Sequence, residues 1–159
     1  MAKERIPVTR EGYLRLEEEL RRLKTVERPK IIKEIAEARA HGDLSENAEY
    51  VAAKEKQSFI EGRIMELEAK LAMCEIIELK EEVDRVVFGA YVLLKDLDDG
   101  QVVRYRIVGE DEANPREGLI SIRSPLARAL VGKRVGEEVE VRTPGGEKVY
   151  EVISISSKP

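Results

Sequence analysis

The chain has 159 residues, of which 42% are hydrophobic, 38% are charged and only 4% are aromatic, with no Trp. Its 28 basic and 32 acidic residues leave a formal net charge of -4, which excludes a global basic field for nucleic acid and makes any contact with DNA or RNA local. The lone Cys74 excludes an internal disulfide, and no apolar run reaches membrane-spanning length.

Residues 1–5 lack the apolar core of a signal peptide, so the expectation is a reduced, soluble, cytoplasmic protein. The length suits one domain, or a rod with a small globule. High charge with few rings favours the second, because a thin helical element has little interior to fill.

In chain order, Thr9 is placed to cap a helix whose first turn carries Glu11, where the helix dipole favours an acid. Tyr13, Leu16, Leu20 and Leu23 recur at steps of three and four, the spacing of a coiled-coil seam. Pro29 removes a backbone donor, so a kink or short break is expected over residues 27–30. Ile31, Ile32, Ile35, Ala36 and Ala38 resume the apolar face, and Gly42 ends it. A second helix carries Tyr50, Ala53, Ile60, Ile64, Leu67, Leu71 and Cys74 along one face, which makes Cys74 a core residue. Each helix is on the order of 30 residues, so a hairpin roughly 45 Å long follows from the helical rise. The short Gly42 connection favours antiparallel pairing within one chain over a homodimeric coiled coil.

After residue 80 the spacing turns to β-branched alternation, which places a boundary between a hairpin, 1–80, with its acidic tip at 41–50, and a globular part, 81–159. Strands at 86–94 and 101–108 flank Asp98-Asp99-Gly100, a hairpin turn. An acidic loop leads to a short strand at 119–122. Ser124 as cap and Pro125 at the first helical position start a short helix ending before Gly132. Strands at 138–142 and 148–155 are joined by Thr143-Pro144-Gly145-Gly146, too short for a phosphate cradle. The class is α+β, an N-terminal antiparallel helical hairpin followed by a small, mostly antiparallel sheet domain with one short helix. Ser124, Pro125, Arg128 and Leu130 are candidate docking residues; the same helix could simply cover the sheet.

The tip leaves two readings open. Asp43 and Glu46 have the spacing of a capping box, in which Asp43 accepts from an early backbone N–H and Glu46 reaches back. The same spacing puts both carboxylates on one side of a helix start, as a partial ligand set for Mg²⁺ that a partner would complete. Such a half-site would have little activity alone but could finish a two-metal hydrolysis centre elsewhere. Arg39 and Lys54 could meet phosphates or lie on a solvated face, Tyr50 could stack on a base or pack inward, and His41 could be a solvated turn residue or a proton carrier.

The run from Ile35 to Tyr50, with Ala38-Arg39-Ala40-His41-Gly42-Asp43-Leu44-Ser45-Glu46-Asn47 at its centre, closely resembles the tip of the Gre family of bacterial transcript cleavage (elongation) factors. The likeness continues through Val87-Phe88-Gly89-Ala90, residues 105–109, residues 119–130 and Thr143-Pro144-Gly145-Gly146-Glu147, in order and across both halves. The resemblance implies a second domain similar in fold to FKBP-type proline isomerases, docked on bacterial RNA polymerase at its secondary channel, with the hairpin entering that channel. It implies that Asp43 and Glu46 help the polymerase hold a second Mg²⁺ and position the attacking water, so that the nascent RNA 3′ end of a backtracked complex is cut. On this footing the chain is no enzyme itself, has no cofactor of its own, and acts as a monomer away from membranes. By position, Arg39, Tyr50 and Lys54 become contacts to RNA or the active centre. Ser45 stands where many relatives are expected to carry a basic residue, which argues against a strong RNA-binding patch there.

Three other functions are weighed. A Gre-like inhibitor of the same channel would carry a more densely acidic tip. A proline isomerase or chaperone would need an aromatic-lined pocket, and this half offers only Phe88, Tyr91, Tyr105 and Tyr150. A coiled-coil adaptor would leave the tip unexplained.

Overall fold

The computed structural model describes residues 5–42 and 47–159. In chain order it contains β1 (Ile6–Val8), α1 (Arg10–Arg22), a π-helical turn (Leu23–Glu27), α2 (Arg28–Arg39), α3 (Ala48–Met73), β2 (Cys74–Ile76), β3 (Tyr91–Asp96) and β4 (Val102–Val108), then β5 (Leu119–Ser121), α4 (Pro125–Leu130), β6 (Glu138–Thr143) and β7 (Gly146–Ser156). Short 3₁₀ turns at Glu110–Glu112 and Pro115–Glu117 link β4 to β5. The chain divides into two units, the described part of 13–74 and the combination of 5–12 with 75–159. The change between the two compact units falls at 74/75. The first strand and first helical turn also belong with the C-terminal unit.

In the helical unit, Ile31, Ile35, Ala53, Ile60 and Ile64 form the buried seam, with Leu20, Leu23 and Tyr50 packed against it. Leu67 is fully buried, whereas Ile32 is 52% exposed and lies off the seam. Charged pairs bridge the two arms. Arg28 binds Glu61 through two bonds of 2.8 Å, and Arg63 binds Glu19 at 2.6 and 2.9 Å. These bonds lower the Glu61 carboxyl below its ordinary range and raise the Arg63 guanidinium, in each case first through the hydrogen bond to the partner.

Pro29 does not break the helix. A proline ring crowds the carbonyl four residues back and offers no N–H. The backbone widens instead: Arg28 N–H donates to the Leu23 carbonyl, an i to i−5 bond, just before the proline. Cys74 is also displaced from its expected place. The helix ends at Met73, and Cys74 is a half-exposed residue opening β2.

In the sheet unit the strand order is β5-β4-β3-β7-β6. The pairs β3–β4, β3–β7 and β6–β7 are antiparallel, and β4–β5 is parallel. Residues 86–90 lie outside the strand, with a turn at 88–89 in which Gly89, at φ 88°, donates its N–H to the Ile107 carbonyl at 2.8 Å. One face of the sheet buries Val92, Leu94, Ile107 and Val152 with Ala127 and Leu130 of α4. β1 pairs with β2 in a separate two-stranded ribbon.

Glu112 joins the start of α1 to this unit. Its carboxylate accepts from the Thr9 N–H at 3.0 Å, from the Gly109 N–H at 2.8 Å and from the Thr9 hydroxyl. The Thr9 Oγ1 in turn accepts from the Gly12 N–H at 3.1 Å, which is the helix cap expected of it. A Cβ on Gly12 would collide with the Glu112 carboxyl group. Gly to Ala within a helix normally gains about 0.5–1 kcal/mol. Gly12→Ala is expected to destabilise instead, and the usual gain should return in a Glu112→Ala background, as urea denaturation of the four variants would measure.

Asp96, 4% exposed, accepts from the Asp98 N–H at 2.9 Å and from Lys148 Nζ at 3.1 Å. The Asp98 N–H, followed by Lys148, holds its carboxyl below the ordinary range. A depressed folded value means that this contribution is complete above the unfolded value of about 3.9 and is lost as pH falls through the folded one. Asp96→Asn is therefore expected to melt earlier at neutral pH and to lose less further stability below about pH 4 than the wild type does. Acid melting curves that run parallel would contradict this.

Candidate functional site

The described residues that frame the end of the hairpin are 38–42 and 47–54. α2 closes with the Ala40 N–H donating back to the carbonyls of Ala36 and Glu37 at 3.3 and 3.1 Å. Gly42, at φ 111°, takes the left-handed backbone that other residues avoid. Asp43 and Glu46, with Ser45 between them, lie outside the described residues.

The helix cap sits elsewhere than the capping-box spacing implied. Asn47 is the N-cap of α3, its Oδ1 accepting from the Tyr50 N–H at 3.0 Å. Its Nδ2 donates to the Ala38 carbonyl of α2 at 2.7 Å. One side chain thus starts the returning helix and satisfies a carbonyl at the end of the outgoing one. The sequence signal was present, since Asn is among the preferred caps and Glu49 follows in the first turn, but Asp43 offered the same chemistry four residues earlier.

The other site candidates fall into two groups. Tyr50 packs inward on the helical seam, with the Arg39 guanidinium 5.8 Å from its ring centroid, so the pair is an intramolecular cation–π contact. Lys54 Nζ donates to Gln57 at 3.3 Å on the exposed face. His41 is not merely solvated: its Nδ1 lies 3.3 Å from Glu49 Oε2, across the hairpin end. Beside this contact a cleft of about 320 Å³ is lined by Glu34, Glu37, His41, Glu49 and Lys56. Among the described residues no group of three or more His, Cys, Asp or Glu side chains is arranged to hold a metal ion.

In the sheet unit, Ser124 caps α4, its Oγ accepting from the Ala127 N–H at 3.2 Å, and Pro125 follows at the first helical position. Arg128 is exposed and available for contact. Leu130 is not: it is fully buried in the sheet core, because an apolar residue five after Pro125 falls on the face that α4 turns to the sheet. It leaves the set of docking residues.

No helix of the described residues is long and apolar enough to cross a membrane. The model of the N-terminal part of a transcription elongation factor matches residues 6–76, and the GreA/GreB C-terminal model matches residues 80–157. The fold and these matches define a transcription elongation factor of hairpin-plus-sheet type. Transcription elongation factor GreA of Anaeromyxobacter sp. is 62% identical, with 96% of this chain and 93% of that protein covered. GreA of Cereibacter sphaeroides is 57% identical over 96% of this chain and 97% of its own length. The solved structure of the transcription factor Gfh1 is 31% identical, covering 98% of this chain and 99% of that one, with a TM-score of 0.46. The chain belongs to the GreA/GreB family of transcription elongation factors.

The cap geometry predicts that Asn47→Ala costs about 0.5–2 kcal/mol of stability, since it removes the cap and leaves the Ala38 carbonyl only its bond from the His41 N–H. Chemical denaturation with helix-sensitive circular dichroism measures it; an Asn47→Asp change, which keeps the cap acceptor but not the donor, should lose only part of that amount.

Proposed function

We propose that this protein binds bacterial RNA polymerase, enters its secondary channel with the hairpin end, and stimulates cleavage of the nascent RNA 3′ end in backtracked complexes. The observation that carries this reading is the family match across both halves together with Asp43 and Glu46 in the connection between α2 and α3. The chain acts on the polymerase's own reaction and is a cytoplasmic monomer. Ser124, Pro125 and Arg128 serve the docking, on the side of the sheet unit that α4 covers.

The implied metal fits the donor chemistry at the tip. Asp43 and Glu46 supply hard carboxylate oxygens of the kind Mg²⁺ prefers, and two of them leave the remaining positions to a partner. When bound, the ion supplies charge neutralisation at the scissile phosphate and a more acidic water. The chain's own part is presentation. Asn47 fixes where α3 begins, the Ile31 and Ile35 seam holds α2 against α3, and the acids lie between these two fixed ends. Arg39 is held against the Tyr50 ring near the end of α2, which leaves its N–H edge for a phosphate.

Asp43→Ala or Glu46→Ala is expected to reduce stimulated cleavage by at least two orders of magnitude in stalled complexes, while polymerase affinity changes less than threefold, following the usual loss when a group acting in the transition state is removed (roughly 10²–10³-fold). Gel analysis of labelled transcripts reads the cleavage, and a competition assay reads the affinity. Full cleavage by the double variant, or hydrolysis of free RNA by the pure protein, contradicts the reading.

A further inference from the structure

The face of the sheet opposite α4 carries a charge pattern that the fold does not use. Tyr91, Leu93 and Lys95 of β3 point to it, together with their register partners Arg106, Arg104 and Val102 of β4. Ser156, Ser154 and Glu151 of β7 join them, and Glu138 of β6 faces Glu151. Two guanidiniums lie against the Tyr91 ring, Arg104 at 4.9 Å and Arg106 at 4.8 Å from its centroid. Their remaining bonds differ. Arg106 is occupied by the Gly89 carbonyl at 3.2 Å and Glu11 at 3.3 Å. Arg104 makes a single 3.3 Å bond to the Lys158 carbonyl, and among the described residues neither Arg104 nor Lys158 forms an ion pair.

A guanidinium stacked on a ring is held in place with its N–H edge directed outward, which prepares it for a planar oxyanion. Beside it is a depression of about 270 Å³ lined by Tyr91, Leu93, Arg104, Ser154, Ser156, Lys158 and Pro159, with two cationic side chains, three hydroxyls and no acidic side chain. Further along β7, Glu151 stands directly opposite Glu138 of β6, which is three strands and roughly 14 Å from Arg104 at the usual strand spacing; this like-charge cross-strand pair costs folding stability. Exposed Glu140 adds a third carboxylate on the same strand and face.

We infer that this face is a second protein-docking surface, taking an aspartate or glutamate of the polymerase in the Arg104–Lys158 depression and a basic side chain over Glu138, Glu140 and Glu151. The pattern disfavours nucleic acid, because a polyanion lying on the face would meet the carboxylates of Glu138, Glu140 and Glu151 beyond the cations Arg104, Lys158 and Lys95. A protein surface of alternating sign satisfies both ends. The inference rests on polymerase being the partner.

The test measures binding of the full-length protein to purified core polymerase at low and high salt. It uses Arg104→Glu with Lys158→Glu, Arg104→Gln, and Glu138→Lys with Glu140→Lys, with melting curves as the check on folding. Each double charge reversal is expected to weaken binding about tenfold at low salt and to flatten its salt dependence, as charge changes at an interface do; Arg104→Gln should give a smaller loss. Wild-type affinity in both folded double variants overturns the docking face while leaving the polymerase reading intact. Wild-type protein that does not bind polymerase overturns both. Weaker binding to a labelled RNA oligonucleotide with unchanged polymerase affinity assigns the face to nucleic acid and overturns the inference as well.

Discussion

The apolar seam between α2 and α3 is the constraint on which the rest of the hairpin depends. Ile31 and Ile35 on one arm meet Ile60 and Ile64 on the other, all nearly inaccessible to water. Burying such side chains gains about 1.5–3 kcal/mol each relative to exposure, whereas the bridging ion pairs, partly exposed, are individually worth about 0–1 kcal/mol. Apolar burial therefore supplies the stability. Arg28 with Glu61 and Arg63 with Glu19 supply register, because bidentate pairs form at only one alignment of the arms. Only a fixed register gives Asn47 an Ala38 carbonyl to reach.

In the sheet unit a comparable role falls to one carboxylate. Glu112 gathers two backbone N–H groups and a hydroxyl, all near the start of α1 or the end of β4. Those donors are ones that a helix start and a tight turn would otherwise leave to water. Gly12 follows from this arrangement, since the carboxyl group occupies the space a side chain would need. Thus residues 5–12 belong to the sheet unit although they stand some sixty residues before β2, and the helix they begin carries on into the hairpin's own unit.

Periodic features were legible in the sequence. The Ile and Leu spacing of the hairpin, the Asp98-Asp99-Gly100 turn and the Ser124-Pro125 helix start each follow from local residue chemistry, and each is where that chemistry places it. What escaped depended on distant or competing partners. β1 and β2 are three residues each and exist only by pairing with one another across the chain. The parallel contact of β5 with β4 is set by the two 3₁₀ turns between them, which carry no strong signature. Pro29 correctly marked a disturbance, but whether a helix breaks or widens is decided by whether the arm beyond it stays packed, and Ile31 keeps it packed. Leu130 fits both a docking and a core pattern, and only the neighbours of α4 decide between them.

The position of the α3 cap bears most directly on the chemistry. A carboxylate that caps a helix spends lone pairs on backbone N–H groups, and those bonds favour its ionised form but occupy the directions a metal would approach. Had Asp43 been the cap, structure and catalysis would have competed for the same oxygens. Asn47, which is uncharged and a weaker ligand for Mg²⁺ than a carboxylate, takes the capping duty instead. The two acids are thereby not needed to start α3. The chain separates the residue that caps α3 from the carboxylates to which the proposed function gives the metal, so under that proposal a change at Asn47 disturbs presentation and a change at Asp43 or Glu46 disturbs chemistry.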